Sequence, residues 1–260
     1  MLDLTPIAAF QDNYLWLAHG ADARRAIVVD PGDAAPVSAH LAATGAELIA
    51  ILVTHHHADH IGGATELAAG RIPVYGPRHE AHGVVTHPLD AGDRIGFDAL
   101  GVEFEVLEIP GHTLGHIAFI ERTPGAETAF CGDTLFSAGC GRLFEGTPAQ
   151  MVASLAALAA LPGTTRVCCG HEYTLANLRF AAAVEPGNPA IAEHTARATA
   201  LRAAGTPTLP STIGLERTVN PFLRLSQPEV VESASRWSGG PLAGKVAVFA
   251  ALRHWKDGFR

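Results

Sequence analysis

The chain has 260 residues, 48% of them hydrophobic and 17% charged, enough apolar material for one large domain or two modest ones. Its formal net charge of −8 argues against a broad nucleic-acid-binding surface, because phosphate contacts need an excess of lysine and arginine. No apolar run approaches the roughly 18 residues of a membrane span, not even the alanine-rich stretch 151–161.

Four cysteines, Cys131, Cys140, Cys168 and Cys169, are too few for a disulfide scaffold, and none forms a C-x-x-C pair. Residues 1–10 carry Asp3 where a secretory signal has a basic segment, and they lack an apolar stretch with a cleavage site. A cytoplasmic protein is the expectation.

Short β-rich runs then alternate with helical ones. Strands are predicted over residues 14–19, 25–30 and 48–53, with a helix over 37–43. Further strands are predicted over 102–109, 117–121, 128–131 and 166–169, each closely followed by glycine or proline and by unusual polar residues. In an α/β protein such strand ends project functional groups over a rigid sheet. After Tyr173 the texture becomes alanine-rich or amphipathic, over 175–184, 190–204, 228–236 and 243–256, with Pro-Gly, Gly-Thr-Pro and Ser-Gly-Gly-Pro breaks. The expected organisation is an α/β domain over 1–173 and a helical domain over 174–260, packed around a shared cleft.

Of fourteen histidines, four crowd into positions 55–60, directly after the strand at 48–53: Thr54-His55-His56-His57-Ala58-Asp59-His60. Cationic imidazoles side by side repel, so such crowding makes sense when a metal ion fixes the neutral state. Alternation in an extended loop points His55 and His57 the same way, while Asp59 and His60 turn toward a second position at a helix start. Three glycine-flanked candidates follow at strand ends: His112 in Pro110-Gly111-His112-Thr113-Leu114-Gly115-His116, Asp133 in Cys131-Gly132-Asp133, and His171 in Cys169-Gly170-His171-Glu172-Tyr173. The set supplies three imidazoles for one ion, a carboxylate and two imidazoles for another, and a carboxylate to bridge. His79, His82 and His87 lack this spacing and read as surface. His56 is expected to support its loop and His116 to orient its neighbours.

The pattern H-x-H-x-D-H, followed by isolated Gly-His, Gly-Asp and Gly-His sites, resembles the metallo-β-lactamase superfamily. The resemblance implies an αββα sandwich with His55, His57 and His112 around a first metal ion, Asp59, His60 and His171 around a second, and Asp133 between them. Two divalent ions per chain are implied, zinc foremost, though imidazole and carboxylate donors also accept iron or manganese. Asp59 and Asp133 are then the catalytic carboxylates, and Asp30 is expected to support a ligand histidine.

Three further segments, 138–147 (Ala-Gly-Cys-Gly-Arg-Leu-Phe-Glu-Gly-Thr), 170–174 and 252–257, together with Asn220-Pro221-Phe222-Leu223-Arg224, resemble the hydroxyacylglutathione hydrolase (glyoxalase II) family. That likeness implies hydrolysis of S-(2-hydroxyacyl)glutathione, chiefly S-D-lactoylglutathione, to glutathione and D-lactate. It also implies a glutathione site built from Arg142, Phe144, His171, Tyr173, Arg253 and Lys256. Arg253 and Lys256 are three apart on a predicted helix and share a face. Arg142 and Phe144 stand where animal members carry lysine and tyrosine, so a charge is kept and a hydroxyl lost. Cys140 has no dedicated base in its neighbourhood and reads as packing, and Trp16, Trp237 and Trp255 read as core or cleft wall.

Within the superfamily a glutathione persulfide dioxygenase would need one iron held by two histidines and a carboxylate, and a nuclease would need a basic face. A non-catalytic scaffold should have lost ligands. The expected partner is a small glutathione thioester, with no nucleic acid and no membrane. Without a heptad seam, a monomer is expected.

Overall fold

The computed structural model describes residues 2–20, 23–80 and 83–259. The first half of the chain runs β1 (Asp3–Ala9), β2 (Asn13–His19), β3 (Arg25–Val29), α1 (Ala34–Thr44), β4 (Glu47–Leu52), α2 (Ala58–Ile61), α3 (Ala64–Ala68), β5 (Val74–Pro77) and β6 (His87–Leu89). It continues with β7 (Arg94–Phe97), β8 (Val102–Glu108), β9 (Ile117–Glu121), β10 (Thr128–Gly132), β11 (Leu135–Phe136), β12 (Gly139–Cys140), α4 (Pro148–Ala159) and β13 (Arg166–Cys169). The last part is α5 (Thr174–Val184), α6 (Pro189–Ala203), β14 (Ser211–Thr212), α7 (Ile213–Val219), α8 (Pro228–Ser238) and α9 (Gly244–Gly258).

Two six-stranded mixed sheets result, ordered β1-β2-β3-β4-β5-β6 and β14-β13-β10-β9-β8-β7. Residue parity explains how they stack. In β2, β3 and β4, Trp16, Ala18, Ile27, Val29, Ala50 and Leu52 join Phe104, Val106, Phe119, Phe130 and Val167 of the other sheet in one apolar core. The alternate residues Leu15, Leu17, Ala26, Val28, Ile51 and Val53 pack instead with Val37 of α1 and with Ala64 and Ala68 of α3. Both faces of these strands are therefore covered, which is why they read as continuous apolar runs. A residue such as Phe119, fully buried, is worth about 3–5 kcal/mol against truncation to alanine.

The helical part does not stand apart from the sandwich. Its β14 pairs with β13 at the edge of the second sheet, Arg166 opposite Thr212 and Val167 opposite Ser211. Phe180, Phe222, Phe249 and Leu252 extend the inter-sheet core beneath Met151 and Leu155 of α4. Helix starts follow local chemistry: Thr147 and Gln150 form a reciprocal capping box with Pro148 in the first turn, and Asn188 caps α6 ahead of Pro189. Among the described residues, no helix is long and apolar enough to cross a membrane.

Among the elements missing from the sequence reading, β1, β5, β6 and β7 are strands at or near sheet edges. β1, β5 and β6 contain Pro6, Gly76, Pro77 and Pro88, which weaken the local strand signal and are tolerated at a sheet's margin. His55 follows β4, His112 follows β8, Asp133 follows β10 and His171 follows β13, so all four come from the C-terminal ends of strands.

Candidate metal centre

His55, His57 and His112 aim their inner nitrogens at one point: His57 Nδ1 is 3.1 Å from His55 Nε2 and 3.0 Å from His112 Nε2. The outer nitrogens fix the tautomers. His112 Nδ1 donates to the Arg142 carbonyl at 2.9 Å. Thr54 Oγ1 gives its proton to Asp30 Oδ2 at 2.7 Å, so it accepts from His55 Nδ1 at 3.0 Å. The inner lone pairs of His55 and His112 thus face His57 Nδ1 within about 3 Å, a convergence of imidazole nitrogens that suits a cation at the focus.

A second cluster lies beside the first. His60 Nδ1 donates to Asp30 Oδ2 at 3.0 Å and His171 Nδ1 to Asp12 Oδ1 at 2.8 Å, which turns both Nε2 atoms inward. Asp59 Oδ2 lies 3.6 Å from His60 Nε2 and 3.5 Å from His171 Nε2. Asp133 spans the two clusters. Its Oδ1 is 3.4 Å from His60 Nε2, and its Oδ2 is 3.3 Å from His171 Nε2 and 3.4 Å from His112 Nε2. His60 Nε2 and Asp133 Oδ1 are buried without a hydrogen-bond partner, the orphaned donor set that metal ions complete. Each cluster has the donors that could hold a metal ion, so the pair is a candidate dinuclear centre.

The electrostatics of the bare site divide along the same line. Burial, reinforced by neighbouring imidazoles, holds His55 well below the usual histidine range and lowers His57 and His112. Burial works against charge on His60 and His171 too, yet Asp133 with Asp30 raises His60 well above that range, and Asp133 with Asp12 raises His171. Burial would likewise raise Asp133, but His60 and His171 hold its carboxyl well below the ordinary value.

The flanking glycines have a steric cause. A Cβ on Gly170 would sit 2.6 Å from His60 Cε1 and 2.7 Å from Asp133 Oδ1, and Gly132 has φ 46° with its missing Cβ facing Thr54 Oγ1. His116 lies fully buried and stacked on His55, ring centroids 4.5 Å apart. Its Nδ1 donates to the Ile117 carbonyl at 3.0 Å and its Nε2 accepts from the Asp133 amide at 3.2 Å, which sets the backbone that carries the Asp133 carboxylate. His56 bridges Glu80 at 2.9 Å and Glu145 at 3.2 Å, tying its loop to the segment that carries Phe144. His79 and His87 are exposed, and His82 lies outside the described residues.

The clusters open into a cavity of about 620 Å³, lined by His57, Asp59, His112, Asp133 and His171 and by Phe136, Cys140, Arg142, Phe144, Tyr173, Ala176, Asn177, Arg253 and Lys256. All six residues assigned to substrate from the sequence lie on it. Tyr173 stacks on His171, centroids 4.7 Å apart and planes 2° from parallel, and the Phe144 ring stands 5.6 Å from His57 and 5.2 Å from His112. Arg253 is also engaged within the protein: it donates to the Cys140 carbonyl at 2.8 Å and pairs with Asp257 at 2.9 Å, leaving its buried Nε unpartnered. Lys256 lies over the Phe180 ring, and burial with Arg253, Arg179 and Arg142 around it lowers its pKa. Such a gathering of cations fits an anionic ligand. Burial pushes the Cys140 thiol up to about 11, away from thiolate chemistry. Trp16 is core, its Nε1 on the Cys169 carbonyl at 2.8 Å, while Trp237 stacks on Trp255 away from the cavity lining.

The sequence reading missed Asp12, Asn13, Glu80, Glu145 and Asn177. Each is a carboxylate or amide brought in by long-range folding, with no spacing of its own to mark it.

Residues 13–171 match the family model described as the metallo-beta-lactamase superfamily, and residues 172–259 match the one described as the hydroxyacylglutathione hydrolase C-terminus. A hydroxyacylglutathione hydrolase of Cupriavidus metallidurans is 55% identical over 269 residues, covering 100% of each chain. The chain belongs to the hydroxyacylglutathione hydrolase family. Solved structures extend the likeness of this family member at the level of fold: ETHE1 from Myxococcus xanthus, at 22% identity, has a TM-score of 0.64 over 98% of both chains. A second protein, solved in a di-iron-bound form, is 28% identical with a TM-score of 0.59, covering 84% of this chain and 100% of that one.

Proposed function

We propose that this hydroxyacylglutathione hydrolase family member cleaves S-(2-hydroxyacyl)glutathione, chiefly S-D-lactoylglutathione, with water to give glutathione and a 2-hydroxy acid, the second step of methylglyoxal detoxification. One observation carries the reading: the dinuclear donor set and the cations Arg142, Arg253 and Lys256 line the same cavity. Glutathione brings two carboxylates and one ammonium, so a few placed cations suit it even on a chain of net charge −8.

His55, His57 and His112 would hold one ion, Asp59, His60 and His171 the other, and Asp133 both. When bound, two such ions supply Lewis acidity that lowers the pKa of water toward neutrality and polarises a carbonyl oxygen. Asp59, held at Oδ2 by Asn13 Nδ2 at 2.9 Å, orients the attacking water. Burial and nearby carboxylates raise the Tyr173 phenol, which keeps it a hydrogen-bond donor for the peptide arm. The expelled thiolate has a conjugate acid of pKa about 8.5, so no strong general acid is required of the protein. Cys140, neutral and held against Arg253, is not a nucleophile here.

Zinc is the proposed occupant, with iron or manganese compatible with the same donors; the di-iron form of a relative of the fold supports iron as an alternative. We read residues 1–173 as the catalytic domain and 174–260 as the helical substrate-binding domain. We also propose a cytoplasmic monomer that binds neither nucleic acid nor membrane. A glutathione persulfide dioxygenase is disfavoured by the full seven-donor set, because one iron on two histidines and a carboxylate would leave four of those donors unused.

The test follows thioester loss with protein of measured metal content on S-D-lactoylglutathione, a non-glutathione thioester and a glutathione persulfide. Rapid, chelator-sensitive hydrolysis of the first alone is expected. Oxidation of the persulfide with no hydrolysis would move the protein to the dioxygenase reading.

A further inference from the structure

The turn between β1 and β2 places two adjacent side chains behind two different ligands of the second metal site. Asp12 Oδ1 accepts from His171 Nδ1 at 2.8 Å, and Asn13 Nδ2 donates to Asp59 Oδ2 at 2.9 Å. Asp59 follows a strand of the first sheet and His171 a strand of the second, so the turn reaches across the gap between the sheets. Backbone bonds pin it there: the Glu172 amide donates to the Asp12 carbonyl at 2.8 Å, the Tyr14 amide to the Gly170 carbonyl at 2.8 Å, and Asn13 bridges His171.

The other ligands are held by other residues. His55 and His112 of the first site take their outer partners from Thr54 and the Arg142 carbonyl. His60 is held by Asp30, whose Oδ2 also receives the Thr54 hydroxyl, so that carboxylate is shared between the two sites. Asp12 and Asn13 contact the second site alone.

From this geometry, and resting on the dinuclear reading above, we infer that Asp12 and Asn13 are positioning residues that set the affinity of the second metal site independently of the first. Asp12 selects the His171 tautomer that presents Nε2, and Asn13 fixes which way the Asp59 carboxylate faces. Asp12 has a side chain 38% exposed, facing a separate cavity with Phe10, Tyr14 and Arg202, so its replacement opens no hole in the core.

The experiment reloads metal-free wild type, D12A, D12N and N13A with zinc against a chromophoric chelator. It counts ions per chain by elemental analysis and records the melting midpoint of each metal-free form. Wild type should take two ions. D12A and N13A should bind the first ion as wild type does and the second roughly 10- to 100-fold more weakly, with an unchanged metal-free midpoint for D12A. D12N should recover part of the loss, since its amide oxygen still accepts from His171. Two ions bound as tightly as in wild type, or both weakened equally alongside a lowered metal-free midpoint, would overturn the inference. Wild type that takes fewer than two ions removes the dinuclear reading and the inference with it. None of these readouts depends on the substrate assignment.

Discussion

The Arg253 guanidinium donates to the Cys140 carbonyl at 2.8 Å while lining the cavity wall, so one side chain both suspends the β11–β12 hairpin from α9 and faces the cavity beside the metal centre. Charge-assisted hydrogen bonds contribute about 1.5–3 kcal/mol each. Arg253→Ala is expected to raise KM by roughly tenfold to a hundredfold and to lower kcat as the hairpin shifts. Lys256→Ala, which removes an ammonium lying over Phe180, should raise KM alone. Steady-state kinetics of the two variants decide the matter, and an unchanged KM in both would take this wall out of the substrate site.

Asp133 is the carboxylate that both clusters share. Asp133→Ala should cost the second ion and reduce turnover by on the order of a hundredfold or more, since His60 and His171 lose the charge that offsets their own. Asp133→Asn, which keeps the shape and drops the charge, should fall between. Metal counting beside the kinetics is the check. Two tightly held ions with wild-type turnover in the alanine variant would end the bridging role.

The proposed metal ligands and their supports differ in how well a sequence exposes them. His55, His57, Asp59 and His60 stand out because the chemistry demands particular residue types at close spacing, and the strand before them, covered on both faces, is continuously apolar. Asp12 reaches His171 across 159 positions, and Asn13 reaches Asp59 across 46. An ordinary turn pair of that kind carries no mark until the chain is folded. The same holds for β6, where Pro88 and an exposed His87 hide a strand that only its partner β5 defines. Arg253 was legible as a cation near the cleft, whereas its bond to Cys140 depends on how α9 lies against the hairpin.

Acidification should empty the second site before the first. His60 and His171 are raised in the metal-free protein, so they keep their protons to higher pH than the lowered His55, His57 and His112 and give them up when an ion binds. Affinity at the second site therefore falls as pH drops through the raised values, while the lowered values of the first triad postpone its loss to more acidic pH. Zinc titrations at pH 8 and 6 against a chelator of known proton linkage, with proton release followed in weak buffer, should find the steeper pH dependence in the second site. Equal pH slopes for the two ions would contradict this division.

His116 gives the metal-free fold a separate acid sensitivity. Burial, with His112 nearby, holds its imidazole down to about 3, whereas in an unfolded chain it titrates near about 6.5. Between those values the unfolded chain binds the extra proton, so the contribution of His116 is fully present above about pH 6.5 and is lost as pH falls. The loss approaches about 1.4 kcal/mol per pH unit, or about 2 kcal/mol between pH 6.5 and 5. His116→Gln keeps an acceptor for the Asp133 amide and does not titrate. It should therefore be the less stable protein at pH 7, through imperfect packing against His55, but should lose less on acidification, so that the two stabilities converge by pH 5. Urea denaturation of both metal-free proteins at pH 7 and pH 5 measures this directly, and parallel losses in the two would mean that the buried imidazole is not the group responding to acid.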